Sequence, residues 1–316
     1  MSSGDSDAWN GSVAINGATG YIGTHVVDEL IGQGEQPVCL VRKRSSRDAR
    51  FLASLGAKII KVNAQASDGS LIEALAGCDR LVHLIGSIAP PKGMRLEDLQ
   101  TGTAKRYLDA ARQAGVQKVV MVTALGCGPN ASSEYHRTKW LAEEVLRSSG
   151  LDWVIIRPSL VVGRTVGQRD SKLVRRYLDL IANKPRIPLV LGGKNLVQPI
   201  AVADLAQALA IVVKSDRWDL RTLQIAGKDS LTTREFVAEL MHVQGVDKNF
   251  LTIPAPLAWI AAVICETFQS VPLLSRDQLR IARVDGCVDE NDLDTQLEIT
   301  PVSLQKALAV YGEDLS

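Results

Sequence analysis

Three glycines, at positions 17, 20 and 23, separate two different hydrophobic patterns near the start of the chain. The run Val13-Ala14-Ile15 before them is short and partly β-branched, which is typical of a buried strand. The residues after them recur at helical spacing, and one apolar face is formed by Ile22, Val26, Val27, Leu30 and Ile31. A strand, a glycine turn and an amphipathic helix in this order predict the first unit of a parallel sheet with crossover helices.

The same alternation continues through the first half of the chain. Further strands are predicted at Val38–Val41, Lys58–Val62, Arg80–Ile85, Lys118–Thr123 and Trp153–Ile156. Helices are predicted over residues 96–114 and 133–148. Because the strands are almost continuously apolar, we expect both faces of the sheet to be covered. The predicted fold class is therefore α/β, a doubly wound parallel sheet of the Rossmann type, with its ligand crevice at the carboxyl ends of the strands.

The pattern changes after Pro158, where prolines and glycines interrupt the chain more often. Helical periodicity returns at Val202–Val213, Thr232–Gln244, Ala255–Phe268 and Val302–Tyr311. We predict that residues 11–160 form the sheet domain, with a return contribution from about 195–228. Residues 161–316 are predicted to form a smaller, mostly helical C-terminal lobe for a substrate or a partner.

The turn Gly17-Ala18-Thr19-Gly20-Tyr21-Ile22-Gly23 has the composition of a phosphate site. Glycine permits positive φ and lets the backbone approach a pyrophosphate closely. The helix that follows directs its free N–H groups and its positive dipole end towards that anion. The turn therefore predicts an NAD(P)-type dinucleotide. A plain structural turn is the alternative.

The end of the second strand bears on which dinucleotide is bound. NAD-selective sites often place a carboxylate there, which accepts from the ribose 2′-hydroxyl. This chain has Arg42-Lys43-Arg44 instead. Arginine suits a 2′-phosphate, so the sequence favours NADP(H) over NAD(H), with Arg42 and Lys43 as the candidate ligands. A solvated basic loop is the alternative.

Tyr135 and Lys139 are four residues apart and therefore share one helix face, on the helix that follows the fifth strand. An ammonium near a phenol stabilises the phenolate and lowers the pKa of the tyrosine. Such a tyrosine can exchange a proton with a substrate oxygen while hydride moves to or from a nicotinamide. An ordinary exposed pair is the alternative.

The overall charge and composition exclude some classes of protein. Lysine and arginine number 36 against 35 aspartates and glutamates, and aromatic residues make up 4%, which does not favour nucleic-acid binding. Five cysteines without a CxxC pair favour a reducing, cytoplasmic setting. Four histidines without ligand spacing predict no metal site.

The longest apolar stretch covers residues 254–274 and is interrupted by Glu266 and Gln269. It predicts a buried or interfacial helix rather than a membrane span. The polar N-terminus lacks the pattern of a signal peptide. A cytoplasmic protein is expected, either free or peripheral to a membrane.

The glycine turn, the Tyr135/Lys139 pair and the segment Ile155-Ile156-Arg157-Pro158-Ser159 together resemble the extended and atypical short-chain dehydrogenase/reductases. The resemblance covers nearly the whole chain and includes Gln198–Asp204. Residues 272–278 resemble one branch, which contains bacterial relatives of the Rossmann-type accessory subunit of complex I beside NmrA-like and epimerase-like proteins.

The resemblance implies roles for individual residues. It assigns the pyrophosphate to Gly17, Thr19, Gly20, Tyr21, Ile22 and Gly23. It places Gly86 and Ser87 beside the ribose and Pro158 beside the nicotinamide. It makes Tyr135 the acid/base group, Lys139 its ribose-anchoring partner, and Thr123 the hydroxyl that orients the substrate carbonyl.

Two functions from different classes follow. The first is an NADP(H)-dependent oxidoreductase, or an epimerase with the same chemistry, acting on a carbonyl or hydroxyl group of a small molecule. The second is a protein that binds NADPH without turnover, as a structural subunit, assembly factor or redox sensor. In the second case residues 254–274 would contact a protein or a membrane surface. We expect, however, that the large apolar residues of this segment pack in the core of the lobe.

Overall fold

The computed structural model describes residues 11–63, 69–88, 93–163, 166–167, 169–268 and 274–313. Its strands are β1 Val13–Asn16, β2 Val38–Val41, β3 Lys58–Lys61, β4 Arg80–His83, β5 Lys118–Val122, β6 Asp152–Pro158, β7 Val161–Val162, β8 Arg186–Val190, β9 Leu196–Val197, β10 Ile200–Ala201, β11 Arg221–Ile225, β12 Leu231–Thr232 and β13 Asn249–Ile253. Its helices are α1 Tyr21–Gly32, α2 Arg47–Leu55, α3 Ser70–Leu75, α4 Thr103–Ala114, α5 Glu134–Arg147, α6 Lys172–Asn183, α7 Val202–Lys214, α8 Thr233–Val243, α9 Ala255–Phe268, α10 Arg276–Ile281, α11 Asp292–Thr295 and α12 Leu304–Glu313.

Seven strands form one parallel sheet in the order β11-β6-β5-β4-β1-β2-β3. The predicted doubly wound parallel sheet is therefore confirmed. The chain runs outward from β1 to β3 on one side and from β4 to β11 on the other, so the strand order reverses between β1 and β4. In such sheets the ligand crevice lies at this switch point, beyond the carboxyl ends of the two strands.

Helices cover both faces of the sheet. One face packs against α1, α2 and α7, whose buried residues include Val26, Leu52 and Leu209. The other face packs against α3, α4 and α5, through residues such as Leu75 and Leu108. Burial on both sides explains the continuous apolar strands, because neither face of a central strand meets water.

The sheet extends beyond the six predicted strands. The seventh, β11, pairs in parallel with β6, and the preceding helix α7 lies in the core beside α1. Leu293 of α11 joins the same core. Residues 202–225 and 293–299 therefore lie with the first half of the chain, and the rest of the C-terminal half forms a mostly helical lobe around Phe236, Leu240 and Leu308.

Helix α9 has the predicted bounds, but our expectation that its large apolar residues pack in the lobe core is wrong. Only Ala258 and Ala262 are buried. The lobe core is already filled by α6, α8 and α12, so α9 lies outside it and contacts α10 and the β8–β13 pair. The exposed fractions of its large residues are 58% at Leu257, 57% at Ile260, 53% at Ile264 and 83% at Phe268. Residues 269–273 of the same predicted segment lie outside the described residues.

Across the described ranges, every helix is too short or too polar to cross a membrane.

Candidate functional site

The glycine turn closes tightly between β1 and α1. Gly17 has φ of +72°, and its carbonyl accepts the N–H of Gly20 at 2.8 Å. A Cβ at Gly23 would lie 2.3 Å from the Gly17 oxygen, so a larger residue there displaces backbone. Gly20 precedes α1 and gives it no side-chain cap. The first turn of α1 thus presents N–H groups at the switch point, as a pyrophosphate cradle requires.

Three other residues of the turn, Thr19, Tyr21 and Ile22, have side chains in different surroundings. The hydroxyl of Tyr21 donates to the carbonyl of Gly163 at 3.0 Å, at the border with the lobe. Its phenol is therefore engaged away from the turn, and burial raises its pKa. Thr19 and Ile22 are half-buried. The candidate ligands at this turn are therefore its main-chain N–H groups rather than the Tyr21 phenol.

A buried amide–imidazole pair, which the sequence analysis did not identify, supports the turn from below. The side-chain nitrogen of Asn16 lies 2.8 Å from Nδ1 of His83, and its oxygen accepts the N–H of Leu84 at 3.0 Å. Burial, reinforced by the charge of Lys139, lowers the pKa of His83 to about 3. A neutral imidazole can accept from the amide, so the pair ties the ends of β1 and β4 together at the switch point.

Arg42 and Lys43 follow β2 directly and are exposed. The register pairs Leu40 of β2 with Asn16 of β1, so these cations stand at the same edge of the sheet as the glycine turn. Within the described ranges the Arg42 side chain takes part in no hydrogen bond or ion pair. Ser46 then caps α2 by accepting the N–H of Ala49 at 3.2 Å. This corner offers positive charge where an adenine ribose would lie.

Lys139 is buried beneath Gly86 at the end of β4. Its Nζ donates to the carbonyls of Val122 at 3.1 Å and Ile85 at 3.5 Å. A Cβ at Gly86 would lie 2.5 Å from that Nζ, so glycine is needed for this approach. Burial lowers the pKa of Lys139 to about 8, although Cys127 and Glu143 act in the opposite direction. The predicted ribose-side glycine and the predicted lysine are thus brought together.

Ser87 follows Gly86 and is linked to two other parts of the chain. Its carbonyl accepts from the side-chain amide of Gln100 at 3.1 Å. Its hydroxyl accepts from Nζ of Lys172, in the first turn of α6, at 3.2 Å. Ser87 therefore lies where the lobe meets the sheet edge.

Tyr135 is half-buried on α5, one turn before Lys139. Its ring meets that of His136 edge to face, with centroids 5.3 Å apart. The expectation that Lys139 lowers the pKa of Tyr135 is wrong for this structure. Burial raises the pKa of Tyr135, and the nearby Cys127 raises it further. The ammonium of Lys139 is instead bound by two main-chain carbonyls.

Thr123 does not face the crevice as the predicted orienting hydroxyl should. It is 4% exposed, and its hydroxyl donates to Oε1 of Glu143 at 2.7 Å. The reason is its position just after β5, where the side chain turns towards α5. Pro158, at the end of β6, is buried, and its carbonyl accepts the N–H of Leu125 at 3.1 Å.

A second buried network that sequence reasoning missed is centred on Glu143. Besides Thr123, its carboxylate accepts from Nε of Arg157 at 2.9 Å, from Nη2 of Arg157 at 2.5 Å and from Arg147 at 3.1 Å. The Glu143 side chain is 0% exposed and that of Arg157 17%. The network fixes α5, and hence Tyr135 and Lys139, against β5 and β6. Its only sequence signal is a glutamate four residues after Lys139.

Comparison with solved structures agrees with this architecture. The NADPH-dependent quinone oxidoreductase of Escherichia coli, solved with NADPH, superposes with a TM-score of 0.74 at 18% identity, covering 96% of this chain and 99% of that one. A UDP-glucose 4-epimerase from Thermotoga maritima, solved with UDP-glucose, gives a TM-score of 0.72 at 18% identity, covering 96% and 98%. At these identities the likeness establishes the fold.

Sequence comparison gives the family. Subunit 9 of the NADH dehydrogenase [ubiquinone] 1 alpha subcomplex from Arabidopsis thaliana mitochondria is 25% identical over 92% of this chain and 74% of its own length. The ceramide reductase of Caulobacter vibrioides is 26% identical over 83% of this chain and 79% of its own length. The family described as NAD(P)H-binding matches residues 17–175, from the glycine turn to the start of α6. The chain therefore belongs to the NAD(P)H-binding family of atypical short-chain dehydrogenase/reductases.

Proposed function

We propose that this protein is an NADP(H)-dependent oxidoreductase that acts on a carbonyl or hydroxyl group of a small molecule. The observation that carries the proposal is the position of Lys139, buried beneath Gly86 at the switch point and one helical turn from Tyr135. Burial of the Lys139 ammonium lowers its pKa and is therefore unfavourable. A ligand-binding role accounts for a lysine at this position better than packing alone does.

Each group of residues has a defined role in this proposal. The N–H groups from Gly17 to Gly23 would hold the diphosphate, and the turn that presents them stays closed because a Cβ at Gly23 would collide with its backbone. Gly86, Ser87 and Lys139 would hold the ribose of the nicotinamide half, and Pro158 would lie beside the ring. The bound dinucleotide supplies or accepts the hydride.

Tyr135 transfers the proton. In the reductive direction its phenol would donate a proton to the carbonyl oxygen of the substrate, and in the oxidative direction the phenolate would take that proton back. Burial raises the pKa of Tyr135 in the cofactor-free protein, so the phenol carries its proton at neutral pH. Lys139 holds the ribose and places positive charge near the proton relay. Thr123 is bonded to Glu143 and is left out of the relay.

Turnover tests this assignment. We expect NADPH oxidation with menadione as the quinone acceptor, and a fall in kcat of roughly a hundredfold or more in Tyr135→Phe. NADPH affinity, measured by calorimetry, should stay the same in that variant. A Tyr135→Phe enzyme as fast as the wild type would overturn the proton-transfer role.

The preference for NADP(H) rests on Arg42 and Lys43. We expect Arg42→Ala to weaken NADPH binding by roughly ten- to a hundredfold, the effect of losing one charge-assisted hydrogen bond, and to leave NADH binding unchanged. Arg50→Ala, an exposed arginine on α2, is the matched control. Equal affinities of the wild type for NADPH and NADH would contradict the preference.

The exposed face of α9 favours a second candidate, a protein that binds NADPH without turnover and docks on a protein or membrane surface. Large contiguous apolar patches mark such surfaces. The double substitution Ile260→Ser, Ile264→Ser should abolish self-association in ultracentrifugation or co-sedimentation with vesicles, whichever the wild type shows. If the wild type shows neither and oxidises NADPH with menadione, this candidate fails.

A further inference from the structure

A carboxylate from the lobe holds the first turn of the helix that carries Tyr135. The N–H of Glu134 donates to Oδ1 of Asp277 at 2.6 Å, and the N–H of Tyr135 donates to Oδ2 at 3.1 Å. The third N–H of the turn, that of His136, donates to the Ser133 hydroxyl at 3.1 Å. Ordinary caps are local in sequence. Here two of three donors are bound by a residue more than a hundred positions later in the chain.

The lobe fixes Asp277 in turn. Ser275 and Gln278 form a capping box at the start of α10. The Gln278 side chain accepts from Nη1 of Arg176 on α6 at 3.1 Å. Glu266 of α9 accepts the N–H of Arg276 at 2.7 Å. The residue on either side of Asp277 is therefore tied to another helix, which gives its carboxylate a defined place.

Tyr135 and Lys139 depend on different anchors. The ammonium of Lys139 is held by carbonyls at the ends of β4 and β5. Tyr135 is the second residue of α5, and the hydrogen bond that fixes its backbone N–H from outside the helix comes from Asp277. Loss of that carboxylate frees the first turn of α5 without releasing the lysine one turn further on.

We propose that Asp277 is a positioning residue for Tyr135. Through it the C-terminal lobe sets where the phenol lies relative to the substrate oxygen, a distance to which proton transfer is sensitive. The carboxylate also compensates the positive end of α5, which stabilises the turn it binds. The catalytic part of this inference rests on the proposed function; the placement of the phenol does not.

Fluorine NMR of protein labelled with meta-fluorotyrosine measures that placement directly. The chain has five tyrosines, and loss of one resonance in Tyr135→Phe assigns the signal. In Asp277→Ala we expect the Tyr135 resonance to shift and broaden while the other four keep their positions. Asp292→Ala is the matched control, because its Oδ2 likewise accepts a backbone N–H, that of Gln224 at 2.7 Å, but on β11 rather than on α5.

Turnover provides the second measurement. With NADPH and menadione, Asp277→Ala should lose roughly ten- to a hundredfold in kcat while its affinity for NADPH stays unchanged. Asp277→Asn retains one acceptor oxygen and should fall between wild type and Asp277→Ala. In the Tyr135→Phe background the alanine substitution should cost no further activity, because the group it positions is gone.

The outcomes separate the two proposals. A shifted Tyr135 resonance together with a wild type that oxidises no NADPH with menadione supports the positioning and rejects quinone reduction. An unmoved Tyr135 resonance in folded Asp277→Ala overturns the inference. The inference also fails if Asp277→Ala lowers activity by the same factor in the wild-type and in the Tyr135→Phe background. If Asp277→Ala does not fold, Asp277→Asn carries the same test.

Discussion

The carbonyl oxygen of Gly17 occupies the space in which any side chain at position 23 would have to lie. We therefore expect Gly23→Ala to push the turn open, to abolish NADPH binding in calorimetry, and to lower the free energy of unfolding by about 2 kcal/mol through overpacking. Gly32→Ala is the control, since a Cβ at the end of the same helix meets nothing within 4 Å. Dinucleotide binding that survives Gly23→Ala would contradict the cradle geometry.

The buried ammonium of Lys139 predicts a pH dependence of stability in the cofactor-free protein. Burial lowers its pKa from 10.5 to about 8, so between these values the unfolded chain binds a proton that the folded chain has released. Stability rises with pH wherever the unfolded state holds more protons. From pH 8 to 10.5 the free energy of unfolding should therefore rise in the wild type relative to Lys139→Met, by about 3 kcal/mol.

Denaturant titrations of both proteins across this range measure the difference, in which the other titrating groups cancel. A constant difference would mean that Lys139 keeps its ordinary pKa.

What the sequence reveals of the site is what lies close together along the chain. Gly17 to Gly23 and the Tyr135/Lys139 pair are local patterns, and the structure brings Lys139 beside Gly86 at the switch point. The partnership of Asn16 with His83 and that of Thr123 with Glu143 join residues on different elements, and no local spacing indicates them. The same applies to Asp277. The raised pKa of Tyr135 follows from burial, which depends on the whole tertiary environment.

Helix α5 carries both Tyr135 and Lys139, and Glu143 anchors it to β6 through Arg157. Replacing Glu143 by Gln leaves the bonded guanidinium of Arg157 without its counter-charge in a mostly buried place. We expect a loss of about 3 kcal/mol in the free energy of unfolding, measured by urea titration.

The neighbouring Glu144→Gln serves as the control, because that side chain is 46% exposed and an exposed ion pair contributes little, about 0.5 kcal/mol. Equal effects of the two substitutions would show that the buried network does not hold α5.

The helices and strands that the sequence predicted correctly are those with a long apolar run or a clear helical periodicity. Six strands and the long helices of the first half have continuous apolar runs or clear helical periodicity. The short helices α2 and α3 and the lobe helix α6 were missed, as was β11, whose five residues include an exposed Arg221 and Gln224. For α9 the predicted bounds were right but the predicted burial was wrong. Periodicity indicates a helix, but it does not show whether other helices already fill the core against which that helix would pack.

The chain crosses between the sheet and the lobe more often than a division near residue 160 with one return at about 195–228 implies. The polypeptide leaves the sheet after β6, returns for α7 and β11, leaves again, and returns at α11. Tyr311 of α12 donates to the carbonyl of Gly163 at 2.8 Å, the same oxygen that Tyr21 of α1 contacts. The last helix therefore meets the first one at a single peptide group beside the cofactor crevice.

This interweaving predicts that residues 1–162 do not fold alone. Without the C-terminal half, the sheet lacks its seventh strand and loses buried residues on one face: Leu205, Leu209, Leu223 and Leu293. Losing the burial of each of these side chains costs about 2 kcal/mol, and the four together, about 8 kcal/mol, match the net stability of an ordinary domain. We expect the fragment to show no cooperative thermal transition by circular dichroism and no NADPH binding by calorimetry. Co-expression with residues 163–316 should restore both, whereas a fragment that melts cooperatively and binds NADPH by itself would show that the first half is an independent domain.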